Sequence, residues 1–199
     1  MNPSDVQDRI RRAAVDQFAR VGYANTSVQQ IVDAAGVTKG AMYHYFASKD
    51  DLLFAIYDQL LTLQSEHLAA IASSGLDAER ALRAACIDVV ETSIDFLPEG
   101  TVFFRSVHML PEARQAEVKH RRREYHDAFA TLIEAGQKEG RYRTDIPMAV
   151  LVAHFFSDVH YLPQWYSPGG PEGKGLIARQ LTDLFLGGIA VTDAPAGDT

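Results

Sequence analysis

Residues 26–46 read TSVQQIVDAAGVTKGAMYHYF, and this stretch decides the fold. Thr26 or Ser27 can cap a helix at its start, and apolar residues follow at the helical spacing, namely Val28, Ile31, Val32 and Ala35. Gly36 ends this helix, because glycine readily adopts the left-handed conformation at a helix C-terminus. Thr38 begins a second short helix. Two short helices joined by a tight turn predict a helix-turn-helix, in which the second helix enters a groove of DNA.

Apolar spacing predicts further helices on both sides of this motif. A first helix begins at Ser4 or Asp5 and ends at Gly22, with inward positions at Val6, Ile10, Ala13, Ala14, Phe18 and Val21. A fourth helix begins at Ser48, and five more follow at about residues 77–96, 102–109, 112–139, 147–165 and 172–189. The sequence PGGP at 168–171 breaks the chain between the last two. No stretch predicts a strand, so the expected fold class is all-α with about nine helices.

Pattern and charge divide the chain into three segments. Residues 1–50 form the predicted helix-turn-helix DNA-binding domain and carry six Lys/Arg against five Asp/Glu, a net charge of +1. Residues 51–191 form the predicted ligand-binding and dimerisation domain, and we expect residues 192–199 to be a disordered tail. The chain after residue 50 carries a net charge of −8, which repels nucleic acid. Only the N-terminal domain is therefore expected to approach phosphates.

The composition argues against secretion and membrane insertion. Arg9, Arg11 and Arg12 stand where a signal peptide needs apolar residues. No stretch reaches the roughly 20 apolar residues that span a bilayer. The single cysteine, Cys86, allows no intramolecular disulfide and favours a reducing compartment. We therefore expect a cytoplasmic protein without a membrane partner.

The sequence carries no pattern typical of an enzyme or a metal site. His154 and Asp158 are four residues apart on one predicted helix, and His120 lies near Glu117 and Glu124. There is no HExxH motif, paired cysteine, glycine-rich phosphate loop or nucleophile elbow. We therefore expect no catalytic residue, no metal ligand and no cofactor apart from an effector ligand.

The predicted recognition helix carries side chains suited to DNA. Most of them offer hydrogen-bond donors, whereas Gly40 leaves room for a phosphate or a base edge. No acidic residue occurs from Thr38 to Ser48. Lys49, Thr26 and Ser27 stand at helix starts, where free N–H groups suit a phosphate. The predicted DNA contacts are Thr26, Ser27, Thr38, Lys39, Gly40, Tyr43, His44 and Lys49.

The N-terminal segment also resembles a known family. The sequences IRRAA at 10–14, TSV at 26–28, AAGV at 34–37 and YHYF at 43–46 look like the DNA-binding domain of TetR-family repressors, without a gap from residue 8 to residue 55. The resemblance implies a homodimer that binds a palindromic operator and leaves it when a small molecule binds the C-terminal domain. It also implies that base reading falls mainly to Thr38, Lys39 and Tyr43.

The last two predicted helices are the candidates for the dimer interface. Each carries an apolar stripe, and Gly187 and Gly188 allow two helices to approach closely. The alternative is that both stripes pack inside one subunit. The predicted interface residues are Phe155, Leu162, Leu181, Leu184, Phe185 and Gly188.

The C-terminal segment predicts an apolar pocket, because helices four to eight carry more large apolar residues than one small core needs. Lys119 and Arg121–Arg123 form a basic cluster in an acidic segment, and some of these cations are expected to pair with Glu117 and Glu124. The alternative is that one or two of these arginines bind the anionic headgroup of a ligand at the mouth of the pocket. The predicted ligand contacts are Phe103, Phe104, Met109, Arg122, Arg123, Tyr125, Phe129, Phe155 and Trp165.

A second resemblance covers about residues 100–190, and its most specific part is WYSPGGP at 165–171. This segment looks like the C-terminal domain of TetR-family regulators of fatty-acid and steroid-ring degradation, which implies an acyl-coenzyme A thioester as effector. Gln164 stands where some relatives have an arginine. Three alternatives stay open: a repressor of an efflux or detoxification operon induced by a hydrophobic drug-like compound, an activator, and a helical ligand-binding protein that does not bind DNA.

Overall fold

A computed structural model of the chain describes residues 3–191, with side chains from Asp5 onward. The predicted tail at 192–199 lies outside the described residues. The described part is all-α, as the sequence predicts, and its only β-bridge joins Tyr142 and Ala190. Its nine α-helices are α1 (Pro3–Val21), α2 (Val28–Ala35), α3 (Lys39–Tyr45), α4 (Lys49–Ala72), α5 (Ala78–Asp95), α6 (Leu97–Ser106), α7 (Glu112–Lys138), α8 (Met148–Trp165) and α9 (Lys174–Ile189).

Two helix starts differ from the sequence prediction. α1 already begins at Pro3, so the predicted caps Ser4 and Asp5 lie inside the helix. α6 begins at Leu97 rather than near residue 102, because Pro98 in its first turn fits a helix start, where no N–H donor is needed. A short 3₁₀ turn, Val107–Met109, completes the segment predicted as one helix. Val21, predicted to face inward, is exposed in the last turn of α1.

The described residues divide into two compact units by packing. The first comprises the chain up to Thr62 together with Phe96–Arg122, and the second comprises Leu63–Asp95 and the chain from Arg123. The division falls inside α4 and inside α7. The sequence predicts a boundary near residue 50 between a DNA-binding and a ligand-binding domain. That boundary separates expected functions rather than packing units, and it stays a prediction.

The first unit packs α2, α3 and α6 against α1. Its core residues Ile10, Phe18, Ile31 and Met42 are almost fully removed from water. Burial of this many large apolar side chains is the main source of stability for a small helical unit, at roughly 1.5–3 kcal/mol for each side chain. Packing against this core therefore stabilises the short helices α2 and α3.

The second unit packs α5 against α9 and α8. Phe129 of α7 stacks on Phe155 of α8, with ring centroids 5.0 Å apart. The end of α9 pairs with the connector between α7 and α8, since Arg143 N donates to Ile189 O at 2.9 Å and Val191 N donates to Arg141 O at 2.9 Å. None of the helices described is long and apolar enough to cross a membrane.

Candidate nucleic-acid interface

The turn between α2 and α3 forms from local signals in the sequence. Ser27 caps α2: its Oγ accepts from Gln30 N at 3.2 Å, and the Gln30 side chain accepts from Ser27 N at 2.8 Å. Gly36 ends α2 with φ of 64°, a left-handed conformation that favours glycine. Thr38 caps α3, because its Oγ1 accepts from Ala41 N at 3.1 Å. The helix-turn-helix prediction is confirmed at both helices.

α3 buries one side and exposes the other. Met42 and, just after the helix, Phe46 are buried in the first unit. The opposite side carries the predicted contacts Thr38, Lys39, Gly40, Tyr43 and His44, all of which are exposed. Tyr43 is 51% exposed, which is a large fraction for an aromatic side chain. We call these five residues the recognition face. Ser27, also exposed, lies at the start of α2.

Thr26 does not fit the predicted DNA contact. The residue is only 2% exposed, and its hydroxyl donates to Gly22 O at 2.8 Å, across the connector between α1 and α2. A buried hydroxyl with an internal acceptor is not available to a phosphate. Thr26 therefore stabilises the connector, and Ser27 alone acts as the cap.

Lys49, a predicted phosphate contact, has acceptors within the first unit. Its Nζ donates to Tyr23 O at 2.8 Å and to Thr26 O at 2.9 Å, and it lies 4.4 Å from the centroid of the Tyr23 ring. Asp50 and Asp51 follow it in the first turn of α4 and make that turn acidic. These internal bonds account for two of the three donors of the ammonium group.

Two further polar side chains around α2 were not found from the sequence. Tyr23 donates to an Asp50 carboxylate oxygen, and burial, together with this bond, raises the pKa of Tyr23 above its ordinary range. Arg9 of α1 donates to Ala35 O at 2.6 Å and to Gly36 O at 3.0 Å. Partners 26 or more residues apart leave no local pattern, so only the fold reveals them.

The predicted ligand residues of the first unit belong to an aromatic cluster on α4 and α6. Tyr57 stacks on Phe103 with centroids 4.0 Å apart, and Phe104 meets both rings edge-on. The guanidinium of Arg122 lies 5.4 Å from the Phe104 centroid. Met109, in contrast, is largely exposed.

The remaining predicted ligand residues belong to the second unit. Tyr125, Phe129 and Phe155 are buried and pack around Phe156. Arg123 and Trp165 are exposed. Aromatic residues packed in this way are ordinary core, so their role as ligand contacts stays a prediction.

One arginine of the basic cluster pairs with α4. Arg121 pairs with Asp58 of α4 and donates to Thr62 Oγ1 at 3.0 Å. Arg114, farther from the cluster, pairs with Asp51 of α4 at 2.5 Å and also with Glu117. Two arginines of α7 thus hold the first half of α4.

Three of the six predicted interface residues are buried inside the second unit. Phe155, Leu162 and Phe185 are at most 5% exposed, because they form the inner faces of α8 and α9. Leu181 is half-buried. The outer faces carry Gly188 and Leu184, of which Leu184 is 74% exposed. The other large apolar side chains exposed on α8 and α9 are Val150, Tyr161, Trp165 and Leu176, of which Leu176 belongs to the apolar stripe predicted for the last helix.

The described residues hold no cluster of His, Cys, Asp or Glu arranged for a metal ion. His154 and Asp158 are exposed on α8. Cys86 is fully buried, and burial raises the pKa of its thiol above its ordinary range, so the thiolate needed for reactivity is disfavoured.

Comparisons with known proteins match both halves of the chain. The profile of bacterial regulatory proteins of the tetR family matches residues 10–56, and that of a tetracyclin repressor-like C-terminal domain matches residues 75–189. The HTH-type transcriptional repressor KstR2 of Rhodococcus jostii is 30% identical to this chain. The aligned region covers 89% of this chain and 87% of the length of KstR2.

Solved structures share the fold. The ketosteroid transcriptional regulator KstR2 of Mycobacterium tuberculosis aligns with a TM-score of 0.82 at 22% identity, over 94% of this chain and 95% of its own. AibR, solved in complex with isovaleryl coenzyme A and operator DNA, aligns with a TM-score of 0.75 at 23% identity, over 90% of this chain and 97% of its own.

Proposed function

Because the chain belongs to the TetR family of bacterial regulatory proteins, we propose that it is a transcriptional repressor released from DNA by a small hydrophobic ligand. The observation that carries this proposal is the recognition face on α3, where every predicted contact is exposed and the buried side is anchored by Met42. A polar face of this kind, free of acidic residues, suits the major groove and its phosphates.

The proposed repressor binds its operator as a homodimer. One α3 reaches only a few base pairs, whereas two copies related by a two-fold axis read two half-sites about one helical turn apart. Leu184, Tyr161 and Trp165 supply exposed apolar surface on α8 and α9 for a second copy of the chain. The operator is accordingly palindromic.

The proposed effector is an acyl-coenzyme A thioester from lipid or steroid breakdown. A relative named as a ketosteroid regulator and a fold neighbour solved with isovaleryl coenzyme A support this choice of ligand class. Burial of an eight-carbon chain contributes roughly 6 kcal/mol at ~0.8 kcal/mol for each CH₂. Arg122, beside the aromatic cluster of α4 and α6, is the candidate for the anionic headgroup.

Release from DNA is proposed to act through the first half of α4. Arg114 and Arg121 attach this half to α7, and Lys49 at its start holds the connector that precedes α2. A ligand that shifts α7 therefore displaces α4 and changes the spacing of the two recognition helices. A hundredfold loss of affinity needs a coupling free energy of only about 2.7 kcal/mol, well within the burial of one acyl chain.

Ligand specificity is tested by thermal unfolding of the purified protein, after native mass spectrometry has identified any bound molecule. The panel contains coenzyme A thioesters, the matching free acids and cationic hydrophobic compounds. We expect a midpoint rise of several degrees with one thioester and none with its free acid. A rise with a cationic compound alone would contradict the thioester and favour an efflux regulator.

The headgroup contact is tested with Arg122→Met, which keeps much of the side-chain length but removes the charge. We expect its affinity for the thioester to fall by roughly tenfold, since a charged hydrogen bond is lost. The control is Lys119→Met on the same helix, where the side chain is exposed. An equal loss of thioester affinity in both variants would show that Arg122 does not contact the headgroup.

A further inference from the structure

On each side of α2, a cation from another helix donates to backbone carbonyl groups. Before α2, Lys49 of α4 donates to the carbonyl oxygens of Tyr23 and Thr26 at 2.8 and 2.9 Å. After α2, Arg9 of α1 donates to the carbonyl oxygens of Ala35 and Gly36 at 2.6 and 3.0 Å. The two cations come from helices at opposite ends of the first 50 residues, and their acceptors lie on either side of the same eight-residue helix.

The Arg9 contacts address carbonyl groups that the C-terminus of α2 leaves without an internal partner, whereas the Lys49 contacts lie in the connector before α2. The last four C=O groups of a helix lack intrahelical donors, and the C-terminus of a helix carries the negative end of its dipole. A guanidinium at Ala35 and Gly36 satisfies both needs. Hydrogen bonds from a charged donor are about twice as strong as neutral ones. Arg9 therefore fixes the C-terminal end of α2, and Lys49 the connector before α2, more firmly than apolar packing alone.

Gly36 adds a steric reason for the same arrangement. A Cβ atom at this position would approach the guanidinium nitrogen of Arg9 to 3.1 Å, closer than an ordinary contact. The left-handed backbone at Gly36 and the arginine thus occupy one tight turn, which leads directly into Thr38 and α3.

We infer that Arg9 and Lys49 are positioning residues for DNA binding: Lys49 fixes the connector before α2 and Arg9 fixes the C-terminal end of α2, so that together they set the position of α3, and neither contributes a phosphate contact. This inference rests on the proposed binding of DNA. Lys39, exposed on the recognition face, contacts DNA directly instead, at the backbone as well as at base edges.

The salt dependence of binding distinguishes positioning from phosphate contact. Each phosphate contact contributes about 0.9 to the slope of log affinity against log salt concentration. A positioning residue lowers affinity for the recognised sequence but leaves this slope unchanged. The probe is a duplex that the wild-type chain selects from a randomised DNA library, and an unselected duplex of equal length measures non-specific binding.

We expect Lys49→Met and Arg9→Met to bind the selected duplex roughly tenfold more weakly or worse, because each loses charged hydrogen bonds. Their salt slopes and their affinities for the unselected duplex should equal those of the wild type. Lys49→Arg, which keeps charged donors, should recover most of the affinity. The matched control Lys39→Met should lower the slope by about 0.9 per protomer and weaken both duplexes, the selected one more strongly because Lys39 also reads bases.

A lower salt slope in Lys49→Met, with weaker binding to both duplexes, would overturn the inference and show that Lys49 contacts a phosphate. Unchanged affinity in both methionine variants would also overturn it. If Lys49→Met fails to fold, as judged by its far-ultraviolet circular dichroism, Lys49→Gln replaces it, since its amide still donates one neutral hydrogen bond.

The inference and the proposed function fail in different ways. If the wild-type chain selects no DNA sequence, the proposed function is contradicted. Hydrogen exchange then tests positioning alone: amides of residues 38–46 should exchange faster in Lys49→Met and Arg9→Met than in the wild type. Equal exchange rates in that region would contradict the positioning role.

Discussion

α3 and α9 each leave one side of a helix exposed, but the two sides differ in chemistry. α3 presents hydroxyl, ammonium and imidazole groups, which are well hydrated when nothing covers them. α9 presents Leu184 and Leu176 beside Gly187 and Gly188. Exposed apolar surface is costly in water, at roughly 25 cal/mol for each Å² that could be buried. The first side is therefore built for a charged, hydrated partner and the second for an apolar one.

The supports behind these two faces also differ. α3 is only seven residues long, and the cations Arg9 and Lys49 fix the C-terminal end of the helix before it and the connector that precedes that helix. α9 is sixteen residues long and packs on α5, and the ion pairs that join these two helices, Arg83–Asp183 and Lys174–Asp95, lie on the exposed surface, where such pairs contribute little. A short helix depends on a few strong polar bonds, whereas a long helix distributes its support over many weak contacts. Single substitutions should therefore disturb the position of α3 through its polar bonds and that of α9 through steric fit.

Leu184→Glu should have the largest effect, because it places a charge on the apolar face of α9. We expect a monomer, and operator affinity lower by on the order of a hundredfold or more, since linked half-sites reinforce each other by 10²–10⁴. Sedimentation and binding to the selected duplex measure both. The control Leu76→Glu changes an exposed leucine outside the helices. A dimer that survives Leu184→Glu would place the interface elsewhere.

Gly136→Ala tests the steric support at the end of α9. A Cβ atom at Gly136 would collide with the ring of Tyr142, whose backbone bridges to Ala190 directly after α9. We expect a loss of about 1–3 kcal/mol in the free energy of unfolding. Gly100→Ala in α6, where the new Cβ meets no atom, should instead gain about 0.5–1 kcal/mol. Equal effects at the two sites would show that Tyr142 moves away freely.

Glu99→Gln should have the smallest effect and depends on pH. Glu99 borders a cleft of about 350 Å³ beside α1, its Oε2 is buried without a partner, and burial raises the pKa of its carboxyl group. The folded state thus prefers the protonated form, and stability is lost as pH rises above 4.5 through the raised pKa.

The glutamine variant should remove this loss, so its unfolding midpoint should exceed that of the wild type at pH 7 by at most a few degrees. The two midpoints should converge near pH 4. Glu66→Gln on α4 controls for the loss of one exposed charge. A wild-type midpoint equal to or above that of Glu99→Gln at pH 7 would contradict the burial argument.

The sequence predicts α2, α3 and their exposed residues because the signals are local. The Ser27 cap, Gly36 in the turn and the Thr38 cap act within three residues of themselves. The Arg9 contacts, in contrast, join residues 26 and 27 positions apart, and no spacing rule finds them. Phe155 is a residue type common in interfaces, but it is buried inside the second unit because its side of α8 faces the core. Periodicity locates an apolar face but does not say whether the same chain covers it.

DNA selection by the wild-type chain and by a Lys39→Ala/Tyr43→Ala double variant tests the role of the recognition face most directly. Both side chains are exposed, so the variant should fold with an unchanged unfolding midpoint. We expect the wild-type chain to enrich an inverted repeat with half-sites about one helical turn apart, and the double variant to enrich no sequence. Enrichment of the same repeat by both proteins would contradict the assignment of DNA reading to α3.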